Sequence, residues 1–495
     1  MTATEYDVIV VGAGPGGLAA AKGAKEAGAG RVLVLERDSR PGGILNQCVH
    51  DGFGIVRYGK QLTGPEYALR AEAELAGSGI ELLTGCHVLR IDPGVPSDGD
   101  GRTGDGQTGD GQTGDGRIGD GQTREGRTGV GRHQVTAVSA DGLHRLEAGA
   151  VILATGCRER TRGAIAIPGS RPAGVFTAGV AQNLVNVRNI MPGKEVVIFG
   201  SGDVGMIMAR RLSLEGARVK AVVEIFPQPA GLSRNVSQCL YDYDIPILCS
   251  HTISKIIGKK RLEAVEISEL DQDMQPISGT ERRIDCDTLV LSVGLIPENE
   301  VAQTADIALD TKTNGVITDD HLQTSTAGIF ACGNSRRIMD LADFVSEQGE
   351  MAGRNAVAYL RGAQMDTWDE ARTSSMAKGF PEEGVVTCTL CPTGCQVRFN
   401  EATGEYEGNR CKRGAQFAEQ ERTAPKRILT TTVKLSDGRL LPVRSARPVS
   451  KQKLPQLVRE LRSVLVFTPV QCGDTVAMVS DCGQQVAILA AQETC

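Results

Sequence analysis

Apolar residues in this chain come mostly in short, nearly continuous runs. Val8–Val11, Val32–Leu35, Val151–Leu153, Val196–Phe199 and Val219–Val223 are the clearest. Runs of this length, bounded by glycines and charged residues, predict strands buried on both faces, as in a parallel sheet. Between the first two runs, Pro15–Glu26 is rich in Ala and Gly and reads as a helix that can approach a sheet closely. Its proline lies at the start, where a missing N–H costs little. His87–Ile91 and Gln134–Val138 predict two further strands. Gly328–Asn334 predicts a buried strand and turn, and Phe344–Leu360 the helix after it.

Two of these strands run into the same glycine pattern, 188 residues apart. Gly12-Ala-Gly14-Pro-Gly-Gly17 follows the first, and Gly200-Ser-Gly202-Asp-Val-Gly205 follows Val196–Phe199. In each copy an acid stands nineteen residues after the last glycine, Glu36 and Glu224, at the end of the next strand. The first glycine allows the strand-to-helix turn. The second leaves room for a diphosphate, and the third lets helix and strand pack. The diphosphate rests on unpaired N–H groups at the helix N-terminus, and the acid takes ribose hydroxyls. A strand, fingerprint, helix and acid in this order, found twice, predict two bound dinucleotides between which electrons pass. The expected fold is α/β, with two Rossmann-like units and a small C-terminal α+β domain.

Length and charge add limits. A chain of 495 residues suggests about three domains of ~150 residues each. A net charge of −6 carries no nucleic-acid footprint. From Val385 onward, 15 Lys and Arg face 10 Asp and Glu, so the tail is basic. Neither a charged-then-apolar leader nor a membrane-length apolar run is seen, which predicts a cytoplasmic protein. In a reducing compartment the fourteen cysteines are thiols, ligands or redox groups rather than structural disulfides. Residues 98–129 repeat Asp-Gly-Gln-Thr-Gly and related units. Glycine at that density predicts a disordered insertion.

From here the motif order resembles the FAD-dependent pyridine nucleotide-disulfide oxidoreductases. The likeness rests on Gly12–Gly17, Glu36, Gly42-Gly43, Ala154-Thr155-Gly156, Gly200–Gly205, Glu224 and Gly328–Asn334, and spans about residues 5–362. It implies that Gly12, Gly14, Gly17 and Glu36 hold the ADP half of FAD. Gly42, Gly43, Thr155, Gly156, Gly333 and Asn334 complete that site. Asn334 stands where the family usually has Asp. Glu347 and Gln348 are expected to approach the flavin ring. Gly200, Gly202, Gly205 and Glu224 are expected to hold NAD(H), with Glu224 repelling a 2′-phosphate. The implied layout is an FAD domain at 1–165 and 297–363, an NAD domain at 166–296, a linker at 364–384 and a cysteine domain at 385–495.

The chain departs from the family at its thiols. Only Cys48 stands near the double glycine, with no second cysteine in the redox-pair spacing. Cys48 is therefore a candidate single catalytic thiol, with His50 lowering its pKa. Further on, Cys388, Cys391, Cys395 and Cys411 form C-x2-C-x3-C and a fourth cysteine. This resembles the iron–sulfur segment of molybdopterin oxidoreductases, and a [4Fe–4S] cluster or a zinc ion is the expected occupant. Segment 385–490 resembles a small bacterial domain associated with such flavoproteins. That neighbourhood implies a dehydrogenase partner subunit of the glycerol-3-phosphate dehydrogenase type. The expected function is electron transfer between NADH, FAD and this partner through the four cysteines. The alternatives are an assembly subunit with a zinc-stapled tail and a thiol or peroxide reductase using Cys48.

Overall fold

The computed structural model describes residues 4–94, 131–373 and 376–494, and the low-complexity segment 98–129 falls outside them. Strand β1 (Thr4–Val11) lies parallel between β2 (Val32–Leu35) and β3 (Gly142–Leu153). Val8, Ile9, Val10, Val32 and Val34 are fully buried, as helices on both sides of a parallel sheet require. His87–Asp92 and His133–Ser139 extend the sheet as an antiparallel pair beyond β3. Ile329–Ala331 pairs in parallel with Val151–Leu153 of β3, so the chain returns to this seven-stranded sheet late in its course.

Helix α1 (Pro15–Glu26) leaves β1 through the first fingerprint. It packs against the long helix Ala342–Leu360 with glycines on both sides of the contact. A Cβ on Gly23 would overlap the Glu350 carbonyl, and one on Gly353 the Ala20 carbonyl. The long helix starts two residues before the expected Phe344. Asp343 explains the extension: its buried carboxylate accepts from the N–H groups of Gly54 (3.1 Å) and Arg57 (2.8 Å), fixing that first turn.

Between the two visits to the first sheet lies a second. Its order is Val175–Thr177, Thr288–Leu291, β4 (Glu195–Phe199), β5 (Arg218–Val223) and Ile247–Leu248, all parallel. Helix α2 (Asp203–Leu214) follows β4 as α1 follows β1.

The C-terminal part has two pieces. Three short strands between Val386 and Glu407 pack with the helix Lys412–Thr423 around Cys388, Val397 and Phe417. A five-stranded sheet over Thr430–Ala490 is covered by the helix Leu454–Leu461, whose Leu454, Leu457, Val458 and Leu461 are buried. Leu214 of α2 joins that core. A buried ion network ties the C-terminal part to the second unit: Arg427 meets Asp242 (2.9 Å) and Glu421, and Lys451 bridges the same carboxylates.

The segment expected as a linker is packed. Trp368 is 5% exposed within the first core, and its backbone N–H donates to the Asp320 carbonyl (2.8 Å). An indole of that area gains more from burial than a free connector allows. Ala377–Gly379 runs beside the second unit: Ser233 N–H donates to the Ala377 carbonyl (3.0 Å), and Lys378 pairs with Asp340 (2.7 Å). Among the described residues no helix is long and apolar enough to cross a membrane.

Candidate functional site

The first fingerprint is built by sterics. A Cβ on Gly12 would lie 2.5 Å from the Ala154 carbonyl, and one on Gly17 would overlap the Gly12 carbonyl. A Cβ on Gly14 would meet no atom within 4 Å. Gly12 and Gly17 therefore serve the turn, and Gly14 faces open space. That space belongs to a cleft of about 1380 Å³ lined by Gly12, Gly14, Gly16, Glu36, Gly43, Thr155, Gly156, Gly333 and Asn334. Gly42 braces it from behind, donating its N–H to the Ala13 carbonyl (2.8 Å) at φ +105°. Glu36 is anchored by the N–H groups of Ala13 (2.7 Å) and Asp38 (2.8 Å). Two lone pairs on its carboxylate stay free for ribose hydroxyls. The Thr155 hydroxyl is buried beside the cleft with no partner, as a ligand-facing group would be. These residues fit the ADP end of a dinucleotide.

The second fingerprint repeats the backbone bonds of this frame. Gly12 N–H donates to the Leu35 carbonyl (2.8 Å), and Gly200 N–H to the Val223 carbonyl (2.7 Å). Ala13 N–H reaches Glu36 (2.7 Å), and Ser201 N–H reaches Glu224 (2.8 Å). Gly42 N–H meets the Ala13 carbonyl (2.8 Å), and Gly231 N–H meets the Ser201 carbonyl (3.1 Å). A Cβ on Gly205 would lie 2.7 Å from Ser292 Cβ, so this glycine too serves packing.

Substitutions break the symmetry: Ser201, where the first copy has Ala13, donates its hydroxyl to Glu224. Pro15 at the start of α1 corresponds to Asp203 at the start of α2. Asp203 Oδ1 accepts from Leu232 N–H and Asn235 Nδ2, both at 2.8 Å. Burial pushes this carboxyl up against the lowering effect of those bonds. The tie holds Leu232–Asn235 beside the start of α2. The cleft accordingly reaches the second unit at Asp203, Val204 and Ile207, and its lining does not include Gly200, Gly202, Gly205 or Glu224.

Cys48 lines the cleft, but not as an activated thiol. Its Sγ faces Gln182 Oε1 at 3.7 Å, and burial pushes the thiol up to about 12. His50, expected to lower it, is itself pushed down by burial and so carries no stabilising charge. Gln348, expected beside the flavin ring, is fully buried and accepts from Gly333 N–H (2.7 Å). It shapes the turn instead, and neither it nor Glu347 lines the cleft. Asn334 does line it, held by Met339 N–H at 2.9 Å. Sequence reasoning missed Cys157, which also lines the cleft and accepts from Asn334 Nδ2 at 3.5 Å. It missed Asp203 and Arg234 as well. Asp203 stands inside the second fingerprint, whereas nothing local marks Arg234.

The four C-terminal cysteines share a neighbourhood. Cys388 N–H donates to the Cys395 carbonyl (2.8 Å). Burial pushes the Cys388 thiol up, and the nearby Cys391, Cys395 and Cys411 add to the effect. Among the described residues, however, no group of three or more His, Cys, Asp or Glu side chains is arranged to hold a metal ion. Cys411 is exposed at the cap of its helix while Cys388 is buried. The expected [4Fe–4S] or zinc site is therefore not shown among the described residues.

Residues 6–349 match the family described as pyridine nucleotide-disulphide oxidoreductase. Residues 412–492 match a family described as a protein of unknown function, DUF1667. The chain is 24% identical to one of the subunits of opine oxidase from Agrobacterium tumefaciens, covering 94% of this chain and 95% of that one. It is 28% identical over 204 residues to the ferredoxin reductase component of chlorobenzene dioxygenase from a Cupriavidus strain, covering 40% and 46%. Thioredoxin reductase of Lactococcus lactis superposes with a TM-score of 0.54 at 20% identity, covering 72% of this chain and 99% of that one.

Proposed function

The chain belongs to the pyridine nucleotide-disulphide oxidoreductase family, and on that premise we propose an FAD-dependent NAD(H) oxidoreductase that exchanges electrons with a partner subunit. The open first nest carries this reading. Gly14 leaves space for a diphosphate, Glu36 is anchored for a ribose, and the Thr155 hydroxyl is buried and unpaired. A bound flavin supplies uptake of a hydride's two electrons and their release singly. The chain's part is to bind, orient and exclude water. Glu36 and the Gly14–Gly17 turn hold the adenosine diphosphate, and Thr155, Gly333 and Asn334 flank the rest.

The repeated bond frame supports NAD(H) as the second dinucleotide. Glu224 takes the two backbone N–H donors corresponding to those of Glu36, plus the Ser201 hydroxyl, and is followed by Ile225-Phe226-Pro227, with no arginine for a 2′-phosphate. A partner is supported by the opine oxidase relative, which is named as one of that enzyme's subunits and aligns along nearly the whole chain. The partner's side is the cysteine unit, because its loop abuts the cleft wall: a Cβ on Gly394 would lie 3.8 Å from Arg234 N. No electron step is assigned to a metal there. Disulfide exchange at Cys48 is disfavoured by its raised thiol.

The test is anaerobic reduction of the purified chain, read near ~450 nm where flavins absorb. Bleaching by NADH well before NADPH supports the reading. A flavin that neither nucleotide reduces overturns it.

A further inference from the structure

At the inner wall of the cleft stands an arginine with nothing to bind. Arg234 is 4% exposed, yet it makes no side-chain hydrogen bond and no ion pair among the described residues. Its Nε is buried and orphaned, and the residue lines the cleft. A buried guanidinium is costly unless it is paired, so such groups are kept where a ligand supplies the partner. The Arg234 charge acts to lower the Asp203 carboxyl, but among the described residues no nearby acid makes a hydrogen bond or ion pair with the guanidinium. Asp203 takes Leu232 and Asn235, Asp51 takes Gln61, and Asp340 pairs with Lys378.

A glycine makes way for the guanidinium itself. A Cβ on Gly52 would lie 2.9 Å from Arg234 Nη2, so glycine there clears the guanidinium's edge. The backbone carrying Arg234 is fixed from two sides. Asp203 ties Leu232 and Asn235 on either side of it, and the Ala377 carbonyl takes Ser233 N–H at 3.0 Å. The fork is therefore held at the junction of the first unit, the second unit and the cysteine unit.

We propose that Arg234 is the anion-recognition residue of this cleft, taking the oxygens of a carboxylate or phosphate on the molecule that exchanges electrons there. The planar fork suits two oxygens of one such group. This rests on the cleft being the redox site, and it adds the chemical class of what enters. The oxyanion has two possible sources, the carboxylate of a small organic substrate or the diphosphate of a nicotinamide dinucleotide.

The experiment uses the full chain, with acetate, inorganic phosphate and ADP-ribose as probes at matched ionic strength. It reads the thermal midpoint and the flavin spectrum. At least one probe should raise the midpoint saturably in the native chain. Arg234→Lys should weaken that response roughly tenfold, because a point charge replaces a fork. Arg234→Met should abolish it. A shift with phosphate and ADP-ribose assigns the dinucleotide, and a shift with acetate alone assigns a carboxylate substrate. The proposal falls if no probe moves the native midpoint, or if Arg234→Lys responds like the native chain. The Lys variant decides the matter should the Met variant fail to fold. The midpoint arm needs no flavin, so a failure of the redox reading leaves this test readable.

Discussion

Replacing Gly14 by alanine should leave the fold intact and weaken flavin retention. Gly14 has φ −70° and ψ −177°, a conformation alanine adopts without strain. Its new methyl would meet no protein atom within 4 Å. The unliganded chain should therefore be unchanged, or gain about 0.4–1 kcal/mol from a stiffer unfolded state. The methyl projects instead where a diphosphate must touch backbone N–H groups. Losing one such charge-assisted bond costs about 1.5–3 kcal/mol. The dissociation constant for flavin should then rise roughly ten- to a hundredfold. Flavin fluorescence titration of the stripped chain measures this, and a thermal melt checks the fold. Gly17→Ala is the contrast, because its Cβ would overlap the Gly12 carbonyl and force the backbone apart. It should lower the melt as well as the affinity. Wild-type flavin affinity in Gly14→Ala, or identical melts for the two variants, would refute the division of labour among these glycines.

Glu224→Gln keeps the side chain's shape and one acceptor oxygen but removes the charge facing a 2′-phosphate. It should narrow the NADH-over-NADPH preference in flavin reduction, and an unchanged ratio would mean that Glu224 does not read the ribose. Cys48, with its thiol pushed up to about 12, should be only about one part in ten thousand thiolate at pH 8. Alkylation at pH 8 should spare it in the native state, whereas rapid labelling there would contradict the burial argument. Arg427→Ala leaves Asp242 and Glu421 with Lys451 as their shared cation and should cost about 3–5 kcal/mol in a thermal or urea melt; a loss under ~1 kcal/mol would show the network to be peripheral. The same network predicts acid sensitivity. Burial alone would raise the Glu421 carboxyl, but Arg427 and Lys451 hold it below its ordinary value of 4.5. Its contribution is therefore present above that value and lost as pH falls through the folded one. Glu421→Gln should show a shallower loss of stability below about pH 5 than the native chain.

The parts legible in the sequence were those set by local geometry. Val8–Val11 and Val196–Phe199 announced buried strands, and each glycine pattern announced the turn after its strand. Glu36 and Glu224 followed from spacing alone, and each closes its strand with matching hydrogen bonds. What escaped depends on residues far apart in the chain. Trp368 looks like part of a connector because nothing nearby in the sequence shows that it joins the buried core of Met351 and Leu322. Cys48 and His50 looked like an activated pair because spacing carries no information about burial. Cysteine spacing points to a metal site, and no such group is found among the described residues. Arg234 escaped because its distinction is the absence of a partner, which only the packed chain reveals.

The central claim is that one chain holds an electron-accepting dinucleotide in its first nest and a nicotinamide dinucleotide in its second. Anaerobic titration of the flavin-loaded full chain with NADH tests this most directly. The account predicts one flavin per chain, fully reduced by about one equivalent of NADH because each hydride carries two electrons. A chain that retains no flavin, or a flavin left oxidised by excess NADH, would contradict it.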